Sequence, residues 1–336
     1  MLLLSNFKVF LPKAEIFQDS EKIILCLSLR GSKDSWYSFI TRHIDIIKNV
    51  DRVLIEILYE APFLHFFNQV EEFINENKLD LNKFLIIESG IDKLNKLNSI
   101  YYPIFFDRLH NNIKIPIKDR TKHFISLARS SRPSRILLTQ EYLERNIENN
   151  GIISCHTDII EGVDPTKLIK NKFKNRFPIK ISNDIEFQKE ANFNDSFNEY
   201  FCHAIFNIVL ESSLENFLDI EQTFWDRPFI TEKTVNAFLF YQMPIFLATR
   251  NHVKTLRELG FDLFDDIINH DYDIEEDVNI RIKKIADEIE RLCRYNLNYF
   301  HNLDIEKRLE YNSYHIKKIF ELKEKAYTNK IIDFLK

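Results

Sequence analysis

Residues 52–90 read "RVLIEILYEAPFLHFFNQVEEFINENKLDLNKFLIIESG". The apolar run at the front stops at Pro62. The middle carries its apolar residues at helical spacing, and a second apolar run ends at Gly90. A strand, a helix and a strand in that order predict a parallel sheet covered by helices. Toward the N-terminus, "KIILCLSLRG" at 22–31 adds another strand and "WYSFITRHIDIIKNV" at 36–50 another helix. The region 21–110 therefore reads β-α-β-α-β.

A polar, charged stretch, "HNNIKIPIKDRTKH" at 110–123, reads as a linker, and alternation then restarts. "FISLAR" (124–129), "GIISCHTD" (151–158) and "HAIFNIVLESS" (203–213) are strand patterns, with the helical "SRILLTQEYLERN" (134–146) between the first two. Further on, 226–249 reads "DRPFITEKTVNAFLFYQMPIFLAT", a helix followed at once by a strand. "NHVKTLRELG" (251–260) reads as a helix capped by Asn251 and stopped by Gly260. From about 276 the chain is helical and densely charged. The expected fold class is α/β. It comprises two Rossmann-like domains facing a cleft, 1–115 and 116–275, with a helical C-terminal segment at 276–336. Ligands are then expected at the C-terminal ends of the strands.

Composition narrows the classes. The chain of 336 residues carries 30 Phe but only 5 Gly, which allows a large core and excludes long glycine-built loops. A net charge of -5 with mixed signs argues against nucleic acid as a partner, since phosphate backbones need a concentrated basic surface. Cys26, Cys155, Cys202 and Cys293 are far apart and form no CxxC pair, the pattern of buried free thiols in a reducing compartment. The opening apolar run is too short for a signal peptide or a membrane span. A cytoplasmic protein without a membrane span is expected.

The sequence lacks GxGxxG after a strand, GxxxxGK[ST], HExxH and GxSxG. The acidic run "FDLFDDIINHDYDIEED" (261–277) contains Asp271-Tyr272-Asp273, a formal DxD. It reads first as a solvated acidic loop, with a metal-holding role for Asp271 and Asp273 as the alternative.

Three constellations can carry chemistry. Glu211, Ser212 and Ser213 end an apolar strand, and about twenty residues on Thr231 is placed to cap a helix. Glu232 and Lys233 fall in that helix's first turn. A cation there opposes the helix dipole, which a nearby anion such as phosphate would offset; an ordinary helix start with a solvent-facing Lys is the equal alternative. Arg129, Arg132 and Arg135 follow a strand in "FISLARSSRPSR" and suit a diphosphate. Glu60, in "LYEAPF", closes a strand before Pro62 and is a candidate general base.

These residues resemble the donor-site motif of the α-1,3/4-fucosyltransferases, which reads roughly F-E-N-S, a gap, Y-x-T-E-K, a helix and a strand. Glu211 and Ser213 match its Glu and Ser, and Thr231, Glu232 and Lys233 match T-E-K. The segment bearing Arg135 is similar to the one that brings an Arg to the diphosphate, with Arg129 beside it. "YEAP" resembles an acceptor-side E-S-P whose Glu is Glu60. The sequence departs from the pattern at Ser212, in place of Asn, and at Phe229, where Tyr is usual. About 40 residues carry the resemblance, chiefly 206–249.

The resemblance implies a GT-B fold with the acceptor domain first and the nucleotide-sugar domain second. It implies inverting, metal-independent transfer of a sugar, fucose in the family itself, from a nucleoside diphosphate sugar to a hydroxyl of a glycan or other acceptor. No cofactor or metal is expected, and a GDP-sugar is the favoured donor. Glu60 would be catalytic. Arg129, Arg135, Glu211, Ser212, Ser213, Phe229, Thr231, Glu232 and Lys233 would bind the donor. A metal-dependent DxD transferase and an inactive glycan- or partner-binding relative are the alternatives.

Overall fold

The computed structural model describes residues 13–19, 22–28, 33–57, 64–88, 98–101, 116–128, 131–158, 164–181, 200–211 and 228–335. The chain divides into two compact units, Met1–Ile104 together with Phe320–Lys336, and Phe105–Ile319. Both are α/β.

In the first unit, β1 (Lys13–Asp19), β2 (Lys22–Ser28), β3 (Arg52–Ile57), β4 (Phe84–Glu88) and β5 (Ser99–Tyr101) lie side by side in chain order. β1 forms an antiparallel pair with β2, and the other pairings are parallel. Side chains alternate between the faces. Leu25, Leu27, Val53, Ile55, Phe84 and Ile86 pack against residues of α1 (Lys33–Arg42), α2 (Ile44–Asn49) and α3 (Leu64–Glu76). On the other face, Ile24, Cys26, Leu54, Leu85, Ile87 and Ile100 pack against Tyr327, Ile331, Phe334 and Leu335. Both faces are thus buried, which is why β2, β3 and β4 run largely apolar rather than alternating, with buried Glu56 in β3 as an exception.

The second unit holds β6 (Lys122–Ala128), β7 (Gly151–Cys155), β8 (Ala204–Leu210) and β9 (Met243–Leu247) in the order β7-β6-β8-β9, all parallel. Its helices are α4 (Pro133–Glu144), α5 (Glu232–Leu239), α6 (His252–Glu258), α7 (Val278–Cys293) and α8 (Leu297–His301). The chain moves outward from β6 to β7 and then returns to the opposite side of β6 as β8. That reversal is a topological switch point, the place at which open α/β sheets generally bind ligands.

The C-terminal segment expected as a separate piece is shared instead. α9 (Glu306–Leu335) starts in the second unit and ends in the first. Lys22 Nζ donates to Leu335 O at 3.1 Å and Arg52 Nε to Phe334 O at 2.8 Å, supplying partners for the last carbonyls of the helix. The stretch read as a linker also carries structure. Ile117 and Arg120 within it are buried, and the Arg120 guanidinium donates to Ala204 O and Phe240 O. Burial lowers the Arg120 pKa to about 10. All four cysteines are free, three of them buried, and burial raises the Cys155 thiol to about 11. Among the described residues, no helix is long and apolar enough to cross a membrane.

Candidate functional site

β6 pairs with β8 from Lys122↔Ala204 to Ile125↔Asn207, and each strand then runs on for three residues, to Ala128 and Leu210. Beyond this point stands Arg135, in the first turn of α4. Its Nη2 donates to Leu210 O at 2.9 Å and to Glu211 O at 3.0 Å. At 4% exposure the Arg135 guanidinium is an interior brace on the end of β8. This differs from the diphosphate ligand expected of it, although the helix around it is the one its sequence predicts. Its acceptors lie 75 and 76 residues away, so no local pattern announces them.

Glu211 follows β8 directly and is 4% exposed. Its Oε2 accepts from Thr231 Oγ1 at 2.6 Å. Its Oε1 accepts from Thr231 N at 3.2 Å and from Thr234 Oγ1 at 2.6 Å. Three donors from the start of α5 therefore converge on one buried carboxylate, and charge-assisted bonds of this kind are the strong ones. Thr231 caps α5 as its sequence position predicts, its Oγ1 accepting from Lys233 N at 3.2 Å. Thr234, Val235, Asn236, Ala237, Phe238 and Leu239 are all buried. The helix is thus embedded on nearly every side, beyond the single apolar stripe that packs a surface helix.

Glu232 and Lys233 are partly buried and touch, with Nζ 3.1 Å from Glu232 Oε1 and 3.5 Å from Thr231 Oγ1. The T-E-K triplet is thus one compact cluster at a helix N-terminus. Phe229, expected at the donor, is 2% exposed, and its ring belongs to the core. The missing phenol is therefore a change at an interior position. Glu60, Arg129, Ser212 and Ser213 lie outside the described residues.

Three further residues belong to this constellation. Thr234 is one turn beyond the cap. His252, the first residue of α6, is 1% exposed and lies 3.2 Å from Thr234 Oγ1 through Nε2. Asp273 accepts from Val253 N at 2.9 Å and Lys254 N at 3.0 Å. Asp273 therefore does the capping expected of Asn251, whose backbone is left-handed at φ 65° and whose side chain makes no cap. The helix stops as expected before Gly260, at φ +91°. Only the T-x-x-T spacing of Thr231 and Thr234 hints at these roles in the sequence.

The same bonds correct the reading of the acidic run as a solvated loop. Asp271 is exposed, but Tyr272 is fully buried and Asp273 is 7% exposed. Asp273 has its two oxygens on the α6 amides. A cavity of about 540 Å³ opens beside it, lined among others by Lys254, Arg257, Asp265, His270, Asp271 and Arg291. Arg257 is paired with Asp265 and Arg291 with Glu288, and none of Arg135, Glu211, Thr231 and Lys233 lines that cavity. The switch point, where the buried polar groups converge, is the stronger candidate site. No family model matches the chain, and neither does any curated protein or solved structure.

Proposed function

We propose that the second unit binds a nucleoside diphosphate sugar, and that the protein transfers the sugar to a hydroxyl of a glycan or other acceptor. The GT-B architecture is part of this proposal. The observation that carries it is the Glu211–Thr231–Thr234 lattice, which fixes Lys233 at the start of α5 beside the strand-order reversal. An α5 N-terminus with an ammonium beside it suits a diphosphate, because first-turn amides and a cation both favour negative charge.

The acceptor oxygen attacks the anomeric carbon as the bond from that carbon to the diphosphate oxygen breaks, inverting the centre. Glu60 is the proposed base for the acceptor proton, on the resemblance alone. Lys233 and Arg129 neutralise the departing diphosphate, Glu232 receives the ribose hydroxyls, and Ser212 and Ser213 line the sugar. Glu211 and Arg135 act differently from the expectation: their polar groups hold the helix start and the strand end, so they position Lys233. Loss of the Lys233 charge is expected to cost about 2–4 kcal/mol of transition-state stabilisation.

Calorimetric titration with GDP, UDP, CDP and dTDP tests the reading. One of them, with GDP favoured, should bind the wild-type protein and bind Lys233→Ala far more weakly. Wild-type binding to none of the four rejects the reading.

A further inference from the structure

We propose that His252 is a positioning residue for the donor-site helix, acting through Thr234 and Glu211. A hydroxyl has one proton to give. Thr234 Oγ1 lies 2.6 Å from Glu211 Oε1, and a carboxylate only accepts, so the threonine proton points there. The contact of 3.2 Å between Thr234 Oγ1 and His252 Nε2 must then be filled from the other side, by an Nε2–H. This fixes the imidazole as the Nε2–H tautomer. Nδ1 has no hydrogen-bond partner among the described residues.

Several features hold the ring in place. It is buried, with its centroid 5.0 Å from that of Phe246 on β9. Asp273 ties down the two amides that follow it, Val253 and Lys254. Burial lowers the His252 pKa, in keeping with a neutral ring. A polar chain therefore runs from α6 through Thr234 to Glu211, on to Thr231, and ends at the Lys233 amide. Each link orients the next, and a side chain at His252 without a donor leaves Thr234 free to turn from Glu211.

The functional consequence rests on the transferase reading, while the geometry does not. A Gln can place an amide N–H close to where Nε2 sits, whereas a Leu fills the space without a donor. Hydrogen exchange at the Thr231, Lys233 and Val235 amides should accelerate about tenfold in His252→Leu and stay near wild type in His252→Gln. Affinity for whichever of GDP, UDP, CDP and dTDP binds the wild type should fall about five- to tenfold in His252→Leu and be restored in His252→Gln. If His252→Leu does not fold, His252→Phe, which keeps a ring there but has no donor, should show the same exchange change.

Equal exchange in wild type and His252→Leu would overturn the proposal. So would a His252→Gln variant as impaired as His252→Leu, since packing alone would then explain the residue. If no nucleotide binds wild type, the transferase reading fails, and the exchange data still decide the role of His252.

Discussion

The two sheets are built from similar apolar strands and differ in the order in which the chain lays them down. In the first, β1 to β5 follow one another across the sheet, and both faces are closed by apolar side chains. In the second, the order β7-β6-β8-β9 reverses beside β6, and buried polar groups collect there: Arg135, Glu211, Thr231, Thr234 and His252. A reversal sends the two neighbouring connections apart, which leaves strand-end carbonyls and helix-start amides to be satisfied by side chains. In this unit Arg135 meets the carbonyls and Glu211 the amide and hydroxyls. The same polar frame that completes the fold is what holds a cation at a helix N-terminus.

The largest test of this contrast is Glu211→Ala, which strands three buried donors. It should destabilise the second unit by about 3–5 kcal/mol in urea unfolding. A loss below 1 kcal/mol would mean that the lattice contributes little.

Acidification comes next. Burial lowers the pKa of both His252 and His270, so below the ordinary value of 6.5 the unfolded chain takes up protons that the folded one refuses. Their contribution is present above pH 6.5 and is lost as pH falls toward their folded values. Each should remove about 1.4 kcal/mol per pH unit within that window. Denaturation at pH 7.0 and 5.5 measures the loss, and His252→Gln should diminish it.

Smallest is Ile55→Val in the first sheet. It trims one buried methyl group, should cost about 1 kcal/mol and should leave nucleotide affinity unchanged.

Strands with long apolar runs were legible in the sequence, because burial on both faces demands such runs. β1 does not show in the sequence, since "KAEIFQD" mixes charge into an antiparallel edge strand, and three-residue β5 is too short to show a period. The helix read across 36–50 breaks at His43, between α1 and α2. "IKDR" looked like linker because its buried partners, Ala204 and Phe240, are distant in sequence. At the site, the helix start was legible from Thr231, Glu232 and Lys233, as capping is a local matter. The brace by Arg135 and the relay through His252 were not, because their meaning lies in acceptors contributed by other elements.

The central claim is that this polar frame presents Lys233 to a diphosphate. Calorimetric titration of wild type and Lys233→Ala with the four nucleoside diphosphates measures it most directly. The expected result is one clear binder whose affinity falls on the order of 10–100-fold in the variant. Equal affinity in the two proteins, or no binding by wild type, would contradict it.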